Sequence, residues 1–178
     1  MVAVHTAVMA GAESTGSDED VAAPTQGSVA PQVTADRIVV GVDGSALSVA
    51  ALRWALDEAS LRHVGVHVVL AWAMPPVMGM APVLSPSEVD FHAAAEAQLD
   101  AILSEQDVTA EGRPGDSPLT REVVERSPAR GLLAAADAGA SLLVVGSRGH
   151  GGFAGLLLGS VSQQCVAHAH CPVVVVHS

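Results

Sequence analysis

Apolar residues along this chain alternate between short unbroken runs and stretches with helical spacing. Ile38-Val39-Val40-Gly41-Val42 is the first run, continuous as a strand buried on both faces requires. Asp43-Gly44-Ser45 follows as a turn and helix cap, and Val49, Leu52, Leu56 and Ala59 then recur at helical spacing. Val66 to Trp72 predicts a second buried strand, and Ala73 to Leu84 a loop rich in Met and Pro. Ser85-Pro86-Ser87-Glu88 is a capping box with Pro at the first helical position, so a second helix starts there and continues through Leu99, Ile102 and Leu103. Leu119 to Val124 is more polar and predicts a strand at a sheet edge. Ser127-Pro128 opens a third helix that Gly139 ends. Ser141 to Val145 is the fourth strand. Leu158, Val161, Cys165 and Ala169 share one face of a fourth helix, and Pro172 introduces the last strand, Val173 to Val176.

Strands and helices therefore alternate through residues 36–178, which predicts an α/β fold: a five-stranded parallel doubly wound sheet with helices on both faces. Two strand orders are compatible, 3-2-1-4-5 and 2-1-3-4-5. The first is favoured because it makes strands 1 and 4 neighbours at the switch point. The turns after those strands, Asp43-Gly44-Ser45 and Gly146-Ser147-Arg148-Gly149, then meet in one crevice. Residues 1–35 carry no periodicity and are rich in Ala, Gly, Ser, Thr and Pro, so a disordered tail is expected there.

Composition narrows the function classes. The formal net charge is −11, which argues against nucleic acid or an anionic membrane surface as partner. All eight basic residues are Arg. Without Lys there is no P-loop, kinase-type or Schiff-base lysine. No run reaches the roughly 18 apolar residues that span a bilayer. No signal peptide is evident, and two cysteines make no disulfide framework, so a cytoplasmic protein is expected. Cys165, His168, His170 and Cys171 cluster in sequence but match no standard zinc spacing; no metal site is expected.

The candidate chemistry lies in Gly146-x2-Gly149-x9-Gly159-Ser160, between the fourth strand and the fourth helix. Glycines there admit backbone N–H groups close to an anion, and the helix N-terminus adds positive partial charge. A GxGxxG fingerprint and a GxSxG nucleophile elbow are both absent, so a phosphate-bearing ligand is the expectation rather than covalent catalysis.

These residues closely resemble the universal stress protein family in its ATP-binding branch, whose pattern G-x2-G-x9-G-(S/T) is matched in full. Val-Gly-Val-Asp-Gly-Ser at 40–45, the segment from Val144 to Phe153 and Cys-Pro-Val-Val-Val-Val at 171–176 are similar to its actinobacterial members, and the resemblance covers nearly all of 37–177. It implies that Asp43 contacts the adenosine moiety, with Gly41 and Val42 as the adjoining wall and Trp72 beside the adenine. Gly146 and Gly149, with Ser147 between them, would wrap ribose and phosphates. Gly159, Ser160 and the Val161 amide would bind phosphate, with Ser162 as a further candidate, and Arg148 and His150 would neutralise charge. Two departures touch the pocket's rim: the family often has Gly near Arg126 and His near Ala71.

Simpler roles compete for the same residues. Asp43 also suits a turn or cap, Gly44 and Gly151 turn geometry, Trp72 the core, and Arg148 and His150 a solvated loop. The expected function is an ATP-binding stress-response regulator, with or without Mg²⁺, and with little or no turnover, since no base for attack on a γ-phosphate is evident. The alternatives are a slow ATP hydrolase and a ligand-free interaction module. The apolar Val173–Val176 strand is exposed to pairing at a sheet edge, so a homodimer through it is expected, as the resemblance also implies.

Overall fold

The computed structural model describes residues 4–7, 36–73, 88–108, 118–150 and 157–177. They form β1 (Val4–Ala7), β2 (Arg37–Gly41), α1 (Ala46–Arg62), β3 (Gly65–Trp72), α2 (Glu88–Ser104), β4 (Leu119–Glu125), α3 (Pro128–Asp137), β5 (Ala140–Gly146), α4 (Ser160–His168) and β6 (Val173–Val176). The sheet runs β4-β3-β2-β5-β6 with every neighbour parallel. In chain order that is 3-2-1-4-5, as the alternation of elements predicts.

Each apolar run is continuous because successive side chains enter different cores. Ile38, Val40, Val66, Val68, Leu70, Leu142, Val144, Val174 and Val176 pack under α1 and α2. Val39, Val69, Leu143, Val145, Val173 and Val175 pack under α3 and α4. The cores are aliphatic, and each fully buried Val, Leu or Ile contributes about 1.5–3 kcal/mol. β4, exposed over most of its length, is the sheet edge its polarity predicts. Gly139, at φ +107°, closes α3.

The N-terminal segment departs from expectation. Val4–Ala7, read from the sequence as part of a disordered tail, is a strand antiparallel to β6, from Val4 opposite Val176 to Ala7 opposite Val173. The strand expected to be a free edge is thus bordered within the same chain. The physical reason is that an edge strand offers unpaired N–H and C=O groups, and a backbone ladder requires no side-chain periodicity. The remaining tail residues 8–35, loop residues 74–84, the capping positions Ser85–Ser87 and Gly151 lie outside the described residues. Among the described residues, no helix is long and apolar enough to cross a membrane.

Candidate functional site

The site is built at the carboxyl ends of β2 and β5, adjacent strands at the switch point. Val42 continues from β2 and anchors its N–H on the Val69 carbonyl at 3.0 Å. Asp43 is then fixed by local hydrogen bonding. Its Oδ1 accepts the Ser45 N–H at 2.9 Å, and its own N–H donates to Ser48 Oγ at 3.2 Å. Ser45 caps α1, its Oγ accepting the Ser48 N–H at 3.3 Å. Gly44, between them, has φ +86°, a conformation that favours glycine.

The loop after β5 folds back onto this turn. A Cβ on Gly146 would lie 2.9 Å from the Leu47 carbonyl, so only glycine lets β5 end so close to α1. Ser147 is buried; its N–H donates to the Val176 carbonyl at 2.8 Å and its carbonyl accepts the Gly159 N–H at 2.7 Å. Gly149 lies against the Asp43 carboxylate, where a Cβ would overlap Oδ2. The next amide, His150 N–H, donates to that Oδ2 at 3.4 Å. His150 Nε2 and Gln98 Nε2 both sit 3.0 Å from the Asp43 carbonyl. α4 begins at Gly159 with no side-chain cap, so its first N–H groups remain available to an anion.

Between these parts lies a cavity of about 350 Å³. Gly41, Val42, Asp43, Gly146, Arg148, Gly149, His150, Gly159, Ser160, Val161 and Ser162 line it, which is the sequence-expected set apart from Ser147 and Trp72. Its lining combines the uncapped α4 N-terminus and Arg148 with the Asp43 carboxylate, against which His150 lies, and Val69, Ala71, Pro128, Leu132 and Val145 supply an apolar wall. Burial pushes the Asp43 pKa up, but the hydrogen bonds from Ser45 and Ser48 and the His150 charge together outweigh it and hold the carboxyl below its ordinary value. Asp43 is therefore an anionic acceptor suited to hydroxyl donors, while the α4 end suits an anion.

Three expected contacts change role. Trp72 does not line the cavity. On β3 the cavity side belongs to Val69 and Ala71, so Trp72 falls on the opposite face and stacks on Phe91 of α2, with ring centroids 6.0 Å apart. Ser147 lies behind the wall, joining β6 to α4 through its backbone. Ser162 lines the cavity, yet its hydroxyl is spent on the Gly146 carbonyl at 2.7 Å and the Ser147 carbonyl at 3.1 Å. It ties α4 to the end of β5 and is not a free phosphate donor.

The sequence reading also missed Ser48, Gln98, Val69, Ala71, Pro128 and Leu132. Only Ser48 had a local signal, three residues beyond the Ser45 cap. At the other end of the domain, burial and neighbouring Cys171 push the Cys165 thiol up to about 11. Among the described residues, no three His, Cys, Asp or Glu side chains converge to hold a metal ion.

Residues 34–177 match the model of the universal stress protein family. A universal stress protein of Mycobacterium tuberculosis is 36% identical over 148 residues, covering 83% of this chain and 47% of that protein. One from Mycolicibacterium smegmatis is 40% identical over 149 residues, covering 79% and 47%. The chain thus spans about half the length of these curated relatives. Among solved structures, a universal stress protein of Lactobacillus plantarum superposes with TM-score 0.67 at 23% identity, covering 80% of this chain and 98% of that one. Another, solved in complex with cAMP, superposes with TM-score 0.51 at 26% identity, covering 80% and 96%. Fold, glycine spacing and sequence agree, and the chain belongs to the universal stress protein family.

Proposed function

We propose that the cavity binds an adenine nucleotide, ATP foremost, and that occupancy rather than turnover is the signal, in a stress response. The observation that carries this reading is the uncapped, glycine-flanked N-terminus of α4, lining the same cavity as the Asp43 carboxylate. A ligand with phosphate at one end and sugar hydroxyls nearby suits both charges at once, and the apolar wall suits a base. A volume of about 350 Å³ falls within the usual range of small-molecule sites. The cAMP complex of a relative supports the adenine-nucleotide class.

The same residues support a reading of low turnover. Among the described residues Asp43 is the only carboxylate lining the cavity, and its depressed pKa makes it a weak base. Among the described residues no three His, Cys, Asp or Glu side chains converge to hold a metal ion, so in this reading any Mg²⁺ enters with the nucleotide. A second reading, slow ATP hydrolysis, is favoured by Arg148, which lines the cavity and has no ion-pair partner among the described residues.

Isothermal titration of the chain with ATP, ADP, AMP and cAMP tests the proposal. One saturable site is expected, with ATP recovered intact after prolonged incubation. No heat from a folded sample at millimolar nucleotide would sink it. ADP release at a rate abolished by Asp43→Ala would replace the signalling reading with hydrolysis.

A further inference from the structure

The Asp43 carbonyl carries a second inference, which rests on the nucleotide reading of the cavity. Side chains from two separate elements meet on this one oxygen. Gln98 Nε2 reaches it from α2 and His150 Nε2 from the glycine loop, each at 3.0 Å. A carbonyl only accepts, so the Gln98 amide nitrogen faces it and His150 carries a proton on Nε2. The two donors use both lone pairs of the oxygen. Gly44 makes the room. At φ +86°, a Cβ there would lie 3.3 Å from Gln98 Nε2 and 3.7 Å from His150 Nε2, so glycine lets both side chains close over the turn.

α2 gives Gln98 a firm base. Leu99, next to it, and Ile102, one turn further on, are both buried in the core under the sheet. The Gln98 side chain itself is exposed. Among the described residues, none that lines the cavity belongs to α2. The helix reaches the site through the Gln98 hydrogen bond, from outside the space a ligand would fill.

The Asp43 carbonyl belongs to the peptide that forms one side of the Asp43–Ser45 turn. That turn is closed by the Ser45 N–H on Asp43 Oδ1 at 2.9 Å. A tilt of the Asp43–Gly44 peptide would carry the Ser45 N–H away from Oδ1 and release the carboxylate. We propose that Gln98 is a positioning residue for the nucleotide site: by holding the Asp43 carbonyl it keeps the turn closed and the carboxylate aimed into the cavity. His150 supplies the other donor, but it also lines the cavity. Gln98 is therefore the member of the pair whose effect can be separated from ligand contact.

Gln98→Met is the informative variant. It keeps the length and helix propensity of Gln, leaves the net charge unchanged and removes the donor. Nuclear magnetic resonance of the ligand-free chain reads two signals. The Asp43 carbonyl carbon reports the hydrogen bond, and the Ser45 amide reports closure of the turn. Both are expected to move in the variant. ATP affinity by calorimetric titration is expected to fall about fivefold, the equivalent of one neutral hydrogen bond, with little change in melting temperature. An unmoved Ser45 amide overturns the proposal, because Gln98 then does not set the turn. Moved signals with unchanged ATP affinity also overturn it, because the turn would then not matter to the ligand. A parent chain that binds no nucleotide removes the reading of the cavity instead, and the two ligand-free signals then decide alone whether Gln98 holds the turn.

Discussion

Gly149 and Asp43 touch, and their contact sets how much room a ligand has. A Cβ at Gly149 would overlap Asp43 Oδ2, so any side chain there must push the loop away from the carboxylate or turn the carboxylate aside. Gly149 is exposed, so the cost falls on the site rather than the fold. Gly149→Ala is expected to weaken ATP binding about tenfold or more, equivalent to about 1.4 kcal/mol, while the melting temperature changes little. Calorimetric titration beside a thermal melt checks both halves; unchanged affinity would remove the loop from the site. Asp43 and the three spaced glycines were legible in the sequence because local chemistry at strand ends defines them. Trp72 was not, because in an unbroken apolar run no polar residue marks which side chains face the cavity. Ser162 misled for another reason: a hydroxyl at a helix N-terminus suggests phosphate, and only the fold reveals the two carbonyls it serves.

Between elements, the β3–β4 pairing carries a titratable group. His67 of β3 is buried, with Nδ1 2.8 Å from Thr120 Oγ1 and Nε2 3.1 Å from Glu122 Oε2, both on β4. Burial is the largest influence on its pKa and lowers it; Glu122 opposes this and the Arg37 charge reinforces it, leaving a folded value below 6.5. The unfolded chain therefore takes up the proton first on acidification. The stability from neutral His67 is fully present above 6.5 and is lost as pH falls through the folded value. Urea midpoints for the parent chain are expected to fall between about pH 7.5 and about pH 5, and His67→Gln to reduce that fall. Equal slopes for parent and variant would show that His67 titrates alike in the folded and unfolded chains and contributes nothing to the fall. Most elements were legible because helical spacing and continuous runs persist over many residues. β1 was not: four residues broken by His5 and Thr6 carry no period, and a backbone ladder decides their place.

At the scale of the molecule, the charge distribution opposes the ligand the cavity is proposed to hold. The chain carries a formal net charge of −11 and no Lys, so the long-range field repels a nucleotide polyanion. Attraction must then be local, from the α4 N-terminus, the loop amides, Arg148 and His150. Salt screens the two contributions unequally. The Debye length is about 10 Å at 0.1 M, so distant surface carboxylates are screened first, while hydrogen bonds inside the cavity are screened much less. Added salt should therefore relieve repulsion more than it weakens attraction. Between about 50 and about 200 mM NaCl, ATP affinity is expected to change by less than about threefold, or to rise. AMP, with less charge to repel, should respond less than ATP. Titrations of both nucleotides across that range check this, with Mg²⁺ held constant. A tenfold loss of ATP affinity would mean that a positive field assembles around the cavity despite the composition. Binding would then depend on steering toward the site rather than on backbone amides within it.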